Sequence, residues 1–146
     1  MKRKIVLVGK DRTGKTSTLK IVIRELLNAG AKVLYSSSNF SRFIRGLKAG
    51  DIWVIFEYNG QIIYVTTCGD CRKVVLNSFV EAKRISNFID DDIDIYIGAC
   101  HPKYTAKETI ESFSGTFERV DKTARDNEIE QSEVNNADAQ RIVSMI

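Results

Sequence analysis

The sequence contains no apolar run approaching the ~20 residues that a membrane-spanning helix needs, so no bilayer span is expected. A secretory signal is lacking too. Met1-Lys2-Arg3-Lys4 runs straight into a short apolar stretch and a glycine loop, without a small-residue cleavage site, and the expected location is the cytoplasm. Cysteine is scarce: three residues, an odd number, argue for reduced thiols rather than a disulfide framework. Long blocks of one charge are absent, and the net charge of +3 is spread among interspersed acids and bases. The overall balance therefore gives no argument for nucleic acid. No internal repeat or low-complexity segment occurs. What remains is 146 residues of ordinary globular composition, expected to form one domain over 1–146.

Strand and helix signals alternate from the start, which predicts an α/β domain. Ile5-Val6-Leu7-Val8 is a continuous apolar run ending at Gly9, the pattern of a strand buried on both faces. Leu19, Val22, Ile23 and Leu26 then recur at helical spacing, with Gly30 as the stop. Lys32–Tyr35 reads as a second strand, and Phe40, Phe43, Ile44 and Leu47 as a short helix over 40–48. Asn59-Gly60 separates two β-branched and aromatic runs, 51–58 and 61–66, and predicts a hairpin. Ser78 and Glu81 fit a capping box opening a helix with Phe79, Ile85, Phe88 and Ile89. Ile93–Ala99 follows as a fifth strand, after an acidic turn at 90–92 whose spacing is not that of a calcium loop. Thr105 and Glu108 open a further helix, 116–120 suits an edge strand, and 121–135 reads as a mobile polar loop before a final helix with Ala139, Ile142, Val143 and Ile146.

One motif carries chemistry. Gly9-Lys10-Asp11-Arg12-Thr13-Gly14-Lys15-Thr16 matches G-x-x-x-x-G-K-[ST] in full. The two glycines allow a tight turn that aims successive backbone N–H groups at one point, and the helix starting at Lys15 aims its positive end there as well. Lys15 adds a cation for the β- and γ-phosphates, the Thr16 hydroxyl is placed to ligate Mg²⁺, and Ser17 can reach the α-phosphate.

On these residues the sequence resembles the P-loop NTPase superfamily. The resemblance implies a parallel-sheet core in a three-layer fold with helices on both faces, to which the Asn59-Gly60 hairpin adds one antiparallel strand. It also implies binding of a nucleoside triphosphate with Mg²⁺. In that superfamily an acidic residue ends a strand beside the first and holds the metal. Here Thr66-Thr67-Cys68-Gly69 stands where Ras-like GTPases have Asp-x-x-Gly, and Asp70 is the remaining carboxylate. Asp70 is a candidate for positioning the attacking water or the metal, against the plainer role of a helix cap. The guanine-reading Asn-Lys-x-Asp is replaced by Cys100-His101-Pro102-Lys103, which favours ATP. His101 and Lys103 lie at a strand's carboxyl end, where open sheets bind ligands. An ordinary structural role is the commoner fate of a lone histidine.

The expected strand order is two, three, four, one, five, six, with strand three antiparallel and starting at Asp51 on the ligand side. The short helix at 40–48 then crosses the top of the sheet, bringing Arg42 and Arg45 within reach of a nucleotide or partner. Cys68-Gly69-Asp70-Cys71 together with Cys100-His101 has zinc-ligand character. The expected order separates these two groups by ~10 Å, from a strand spacing of ~4.8 Å, too far for one metal. A nucleotide hydrolase, acting as a switch, is the leading expectation. A small nucleoside or nucleotide kinase and a binding module without turnover are the alternatives. A kinase lid has only 100–105 and the region of Lys122 and Arg125 to draw on. The cations Lys10, Arg12, Lys15, Arg72, Lys73 and Lys103 cluster around the expected phosphate site, so a triphosphate explains them more simply than nucleic acid does. A protein partner or second copy of the chain leaves no mark in a single sequence.

Overall fold

A computed structural model describes residues 1–69, 72–103 and 105–146. Elements alternate along the chain as β1 (Arg3–Val8), α1 (Lys15–Asn28), β2 (Lys32–Ser36), α2 (Phe40–Ile44), β3 (Trp53–Tyr58), β4 (Gln61–Thr66), α3 (Arg72–Ser86), β5 (Ile95–Cys100), α4 (Thr105–Ser112), β6 (Thr116–Asp121) and α5 (Glu128–Ser144). The six strands form one sheet in the order β2-β3-β4-β5-β1-β6. β3 runs antiparallel to both neighbours, and the remaining pairings are parallel.

Successive residues of a strand face opposite sides of the sheet, and β1 feeds two cores in this way. Ile5 and Leu7 pack with Leu19, Val22 and Ile23 of α1, Phe40 and Phe43 of α2, and Ala139 and Ile142 of α5. Val6 and Val8 face the other way, toward Val75 and Phe79 of α3 and Ala106 and Ile110 of α4. The domain is therefore a three-layer α/β structure. At the hairpin, Asn59 and Gly60 both take positive φ, 51° and 74°, and Tyr58 pairs directly with Gln61. Two such residues fit a two-residue turn whose twist matches the strands.

The strand order departs from expectation at one place. β5 lies between β4 and β1, with Val65 in register with Ile97 and Val6 with Gly98. The end of β4 closes tightly on β5: a Cβ at Gly69 would run into the backbone carbonyl of Ala99. The separation argued above between Cys68 and Cys100-His101 therefore does not hold, since they follow or end neighbouring strands.

Three local readings also change. α3 begins at Arg72, not at the supposed capping box; Ser78 lies inside it, with its hydroxyl 3.1 Å from both the Tyr64 hydroxyl and Thr66 Oγ1. Val75, Phe79 and Ala82 supply the apolar face, at spacings of four and three. α5 begins at Glu128, within the expected mobile loop, because the Asn127 side chain accepts from the Ile129 and Glu130 N–H groups. α2 is only one turn long and buries Phe40 and Phe43, while Ile44 and Leu47 remain exposed.

Candidate functional site

The Gly9–Thr16 loop leaves the carboxyl end of β1 and is tied down on both sides. The Gly9 N–H donates to the Cys100 carbonyl at the end of β5 (3.1 Å), and the Lys122 N–H just after β6 donates to the Val8 carbonyl (2.8 Å). A Cβ on Gly9 would lie 2.8 Å from both Lys122 Cβ and Thr13 Oγ1, so this position admits only glycine without rearrangement. Gly14 is the N-cap of α1 at φ 85°, and a Cβ there would strike the Asn135 side chain. A glycine cap has no side chain to accept from the first-turn N–H groups, and that turn holds no acidic residue. The positive end of the helix thus keeps its field for an external anion.

Lys15 is buried, and its ammonium turns back over the loop to donate to the Gly9 and Lys10 carbonyls at 2.7 and 2.8 Å. Thr13 Oγ1 donates to the Lys10 carbonyl (2.7 Å), which closes the loop from within. Lys10, Asp11, Arg12 and Ser17 are exposed, and Thr16 is half-buried in the first helical turn. A cavity of about 270 Å³ is lined by Arg12, Thr13, Gly14, Lys15, Thr16 and Ser17. Arg12 and Ser17 also border a larger groove of about 670 Å³, which follows α1 past Lys20 and Arg24 and reaches Asn127 and Gln131.

α5 braces the loop with residues that the sequence alone assigns to a mobile segment. Gln131 Nε2 donates to the Thr13 carbonyl (3.0 Å) and to Asn135 Oδ1 (2.8 Å). Behind Gly9, the Lys122 side chain is fully buried and pairs with Asp138 at 3.0 Å. Asp138 also accepts from the Thr123 N–H and hydroxyl. Lys122 is therefore a fixed internal cation and contributes nothing to a closing lid. The only sequence signal for this brace was the helical spacing of Ala139 and Ile142, which places Gln131, Asn135 and Asp138 along one stripe at intervals of four and three.

The insertion of β5 changes the neighbours of the loop. Cys100 and His101 now stand next to it, and the residues after β4 are a strand further away. Burial pushes the Cys100 thiol up to about 11, so it stays protonated at neutral pH. His101 is buried, and its Nδ1 accepts from the Lys103 N–H (3.1 Å). Asp51 lies two residues before β3, on the same edge of the sheet, where it accepts from Thr67 Oγ1 (2.9 Å). Three strand spacings of ~4.8 Å nevertheless place it ~14 Å from β1. Arg42 is occupied by the Lys48 carbonyl (2.9 Å). Arg24 of α1 stacks over the Phe43 ring, 4.2 Å from its centroid. Asp70 and Cys71 lie outside the described residues. Among the described residues no group of three or more His, Cys, Asp or Glu side chains is arranged to hold a metal ion, and no helix is long and apolar enough to cross a membrane. No protein-family model, curated protein or solved structure matches this chain.

Proposed function

We propose that this chain is a P-loop NTPase that binds a nucleoside triphosphate, ATP in preference to GTP, with Mg²⁺, and hydrolyses it in the cytoplasm. The observation that carries the reading is the cavity formed by Arg12–Ser17 at the uncapped, acid-free start of α1, with the Lys15 ammonium folded over the same loop. Polyphosphate oxygens replace the Gly9 and Lys10 carbonyls as partners of Lys15. The groove that continues from Arg12 and Ser17 accepts the nucleoside. Thr16 suits Mg²⁺, which typically binds one or two protein oxygens together with substrate phosphates and water. Mg²⁺ held by the Thr16 hydroxyl would supply charge neutralisation to the substrate phosphates, with Asp70 the proposed second protein oxygen and water-positioning group. In hydrolysis the water oxygen bonds to the γ-phosphorus, and the bond to the β,γ-bridging oxygen breaks to release diphosphate product and phosphate.

The test is titration calorimetry with Mg²⁺ and each of ATP and GTP, paired with a phosphate-release assay. Saturable heat is expected for the wild type. Lys15→Ala is expected to weaken binding and to lower turnover by ~100-fold, the usual order for loss of a charge-stabilising donor. Absence of heat with every triphosphate rejects the proposal, and diphosphate formation only in the presence of an acceptor turns it into a kinase.

A further inference from the structure

A second cavity, about 400 Å³, opens on the same edge of the sheet as the loop but on the α3 side. Its size falls in the range of about 300–1,000 Å³ usual for small-molecule sites. Three features define what it accepts. The first is charge: Asp51 and Glu81 line it, and among the described residues no lysine, arginine or histidine does. The second is hydrogen-bonding capacity, since Ser37, Ser38, Asn39, Asn77 and Ser78 are five of its eight other lining residues. The third is Trp53, another wall residue, which is 2% exposed and whose indole N–H has no hydrogen-bond partner among the described residues. A buried donor without an acceptor is uncommon in a native fold; the nitrogen itself has almost no accessible surface, so an occupant reaches it only if the wall shifts.

We propose that this cavity is a binding site for a small polyhydroxylated compound that carries no phosphate and is neutral or cationic, such as a nucleoside or an amino sugar. Two carboxylates, with no cation among the described lining residues, repel phosphate and attract a protonated amine. Serine and asparagine groups match hydroxyls whether these donate or accept. The site needs no triphosphate at the Gly9–Thr16 loop to be occupied, so it stands independently of the function proposed above.

Trp53 is the only tryptophan of the chain, and its emission reports the cavity directly. The test titrates the full chain with adenosine, cytidine and glucosamine, and with the corresponding phosphate esters, following that emission. A saturable change is expected for at least one unphosphorylated probe, with its phosphate ester at least tenfold weaker. Asn77→Phe, at an exposed position of α3, is expected to abolish the response while far-UV circular dichroism stays native. Glu81→Gln, also exposed, is expected to weaken glucosamine more than adenosine. Lys15→Ala should respond as the wild type does. The proposal is overturned if no probe gives a saturable change, if esters bind as well as their parent compounds, or if Asn77→Phe binds normally. It is also overturned if Lys15→Ala abolishes the response, which assigns the signal to the loop and leaves the phosphate reading untouched.

Discussion

Gly14 bears two constraints at once: a backbone at φ 85°, and the Asn135 side chain occupying the place where a Cβ would project. Motif spacing exposes the first, because the loop must turn there. The second was illegible, since Asn135 lies 121 positions later in a stretch whose polarity suggested solvent. Gly14→Ala is expected to cost about 1–3 kcal/mol from left-handed backbone strain alone, and more from displacement of Asn135. Urea denaturation measures the loss, and triphosphate affinity should fall with it. Lys15 tells a similar story. Its position was readable from the motif, whereas its ligand-free partners, two carbonyls of its own loop, depend on a turn geometry that spacing does not specify.

Elements were legible where periodicity and turn chemistry agreed. The Asn59-Gly60 hairpin, β1 and α1 follow from patterns contained within a few residues. α3 and α5 were misread at their starts for one reason: buried polar side chains broke the apolar pattern. Ser78 sits among core residues because Tyr64 and Thr66 satisfy its hydroxyl. Gln131, Asn135 and Asp138 face the loop and Lys122 rather than water. Asn127 is the cap that starts α5, and Asn127→Ala is expected to cost about 1 kcal/mol, as N-cap removals do. A lowered urea midpoint with an unchanged slope is the expected result, and an unchanged midpoint counts against the cap.

At the scale of the whole molecule, the layers were predictable and the strand order was not. Right-handed crossovers put a helix on one face when the chain moves one way across the sheet, and on the other face when it moves back. β4-α3-β5 and β5-α4-β6 move in the same direction, so α3 and α4 share a face; the path from β1 through α1 to β2 moves oppositely. The expected order and the observed one obey that rule equally. They differ only in whether β5 stops before β1 or passes it, and no hydrophobic pattern records the difference.

The same molecule-wide view sets the response to pH. Asp94 is held below the ordinary carboxylate range first by the Ile62 N–H and then by Lys2. Glu118 is held low first by its hydrogen bonds from Arg3. Both contributions are present above the unfolded value of ~4 and are lost as pH falls through the depressed folded values. Cys100, pushed up to about 11 by burial, acts at the other end. Its preference for the protonated thiol leaves stability intact below the unfolded thiol value of ~8.5 and erodes it as pH rises toward 11. The urea midpoint is therefore expected to hold steady around neutrality and to fall below about pH 4 and above about pH 9, and a flat profile into either range contradicts these assignments.

The hydrogen bond from Gln131 to the Thr13 carbonyl spans 118 residues of sequence. During synthesis the crook between the first strand and helix leaves the ribosome long before the side chains that shore it up. A nascent chain in that state has the signature but not the braced loop, so the triphosphate capture proposed above belongs to the last stage of maturation and cannot template the earlier ones.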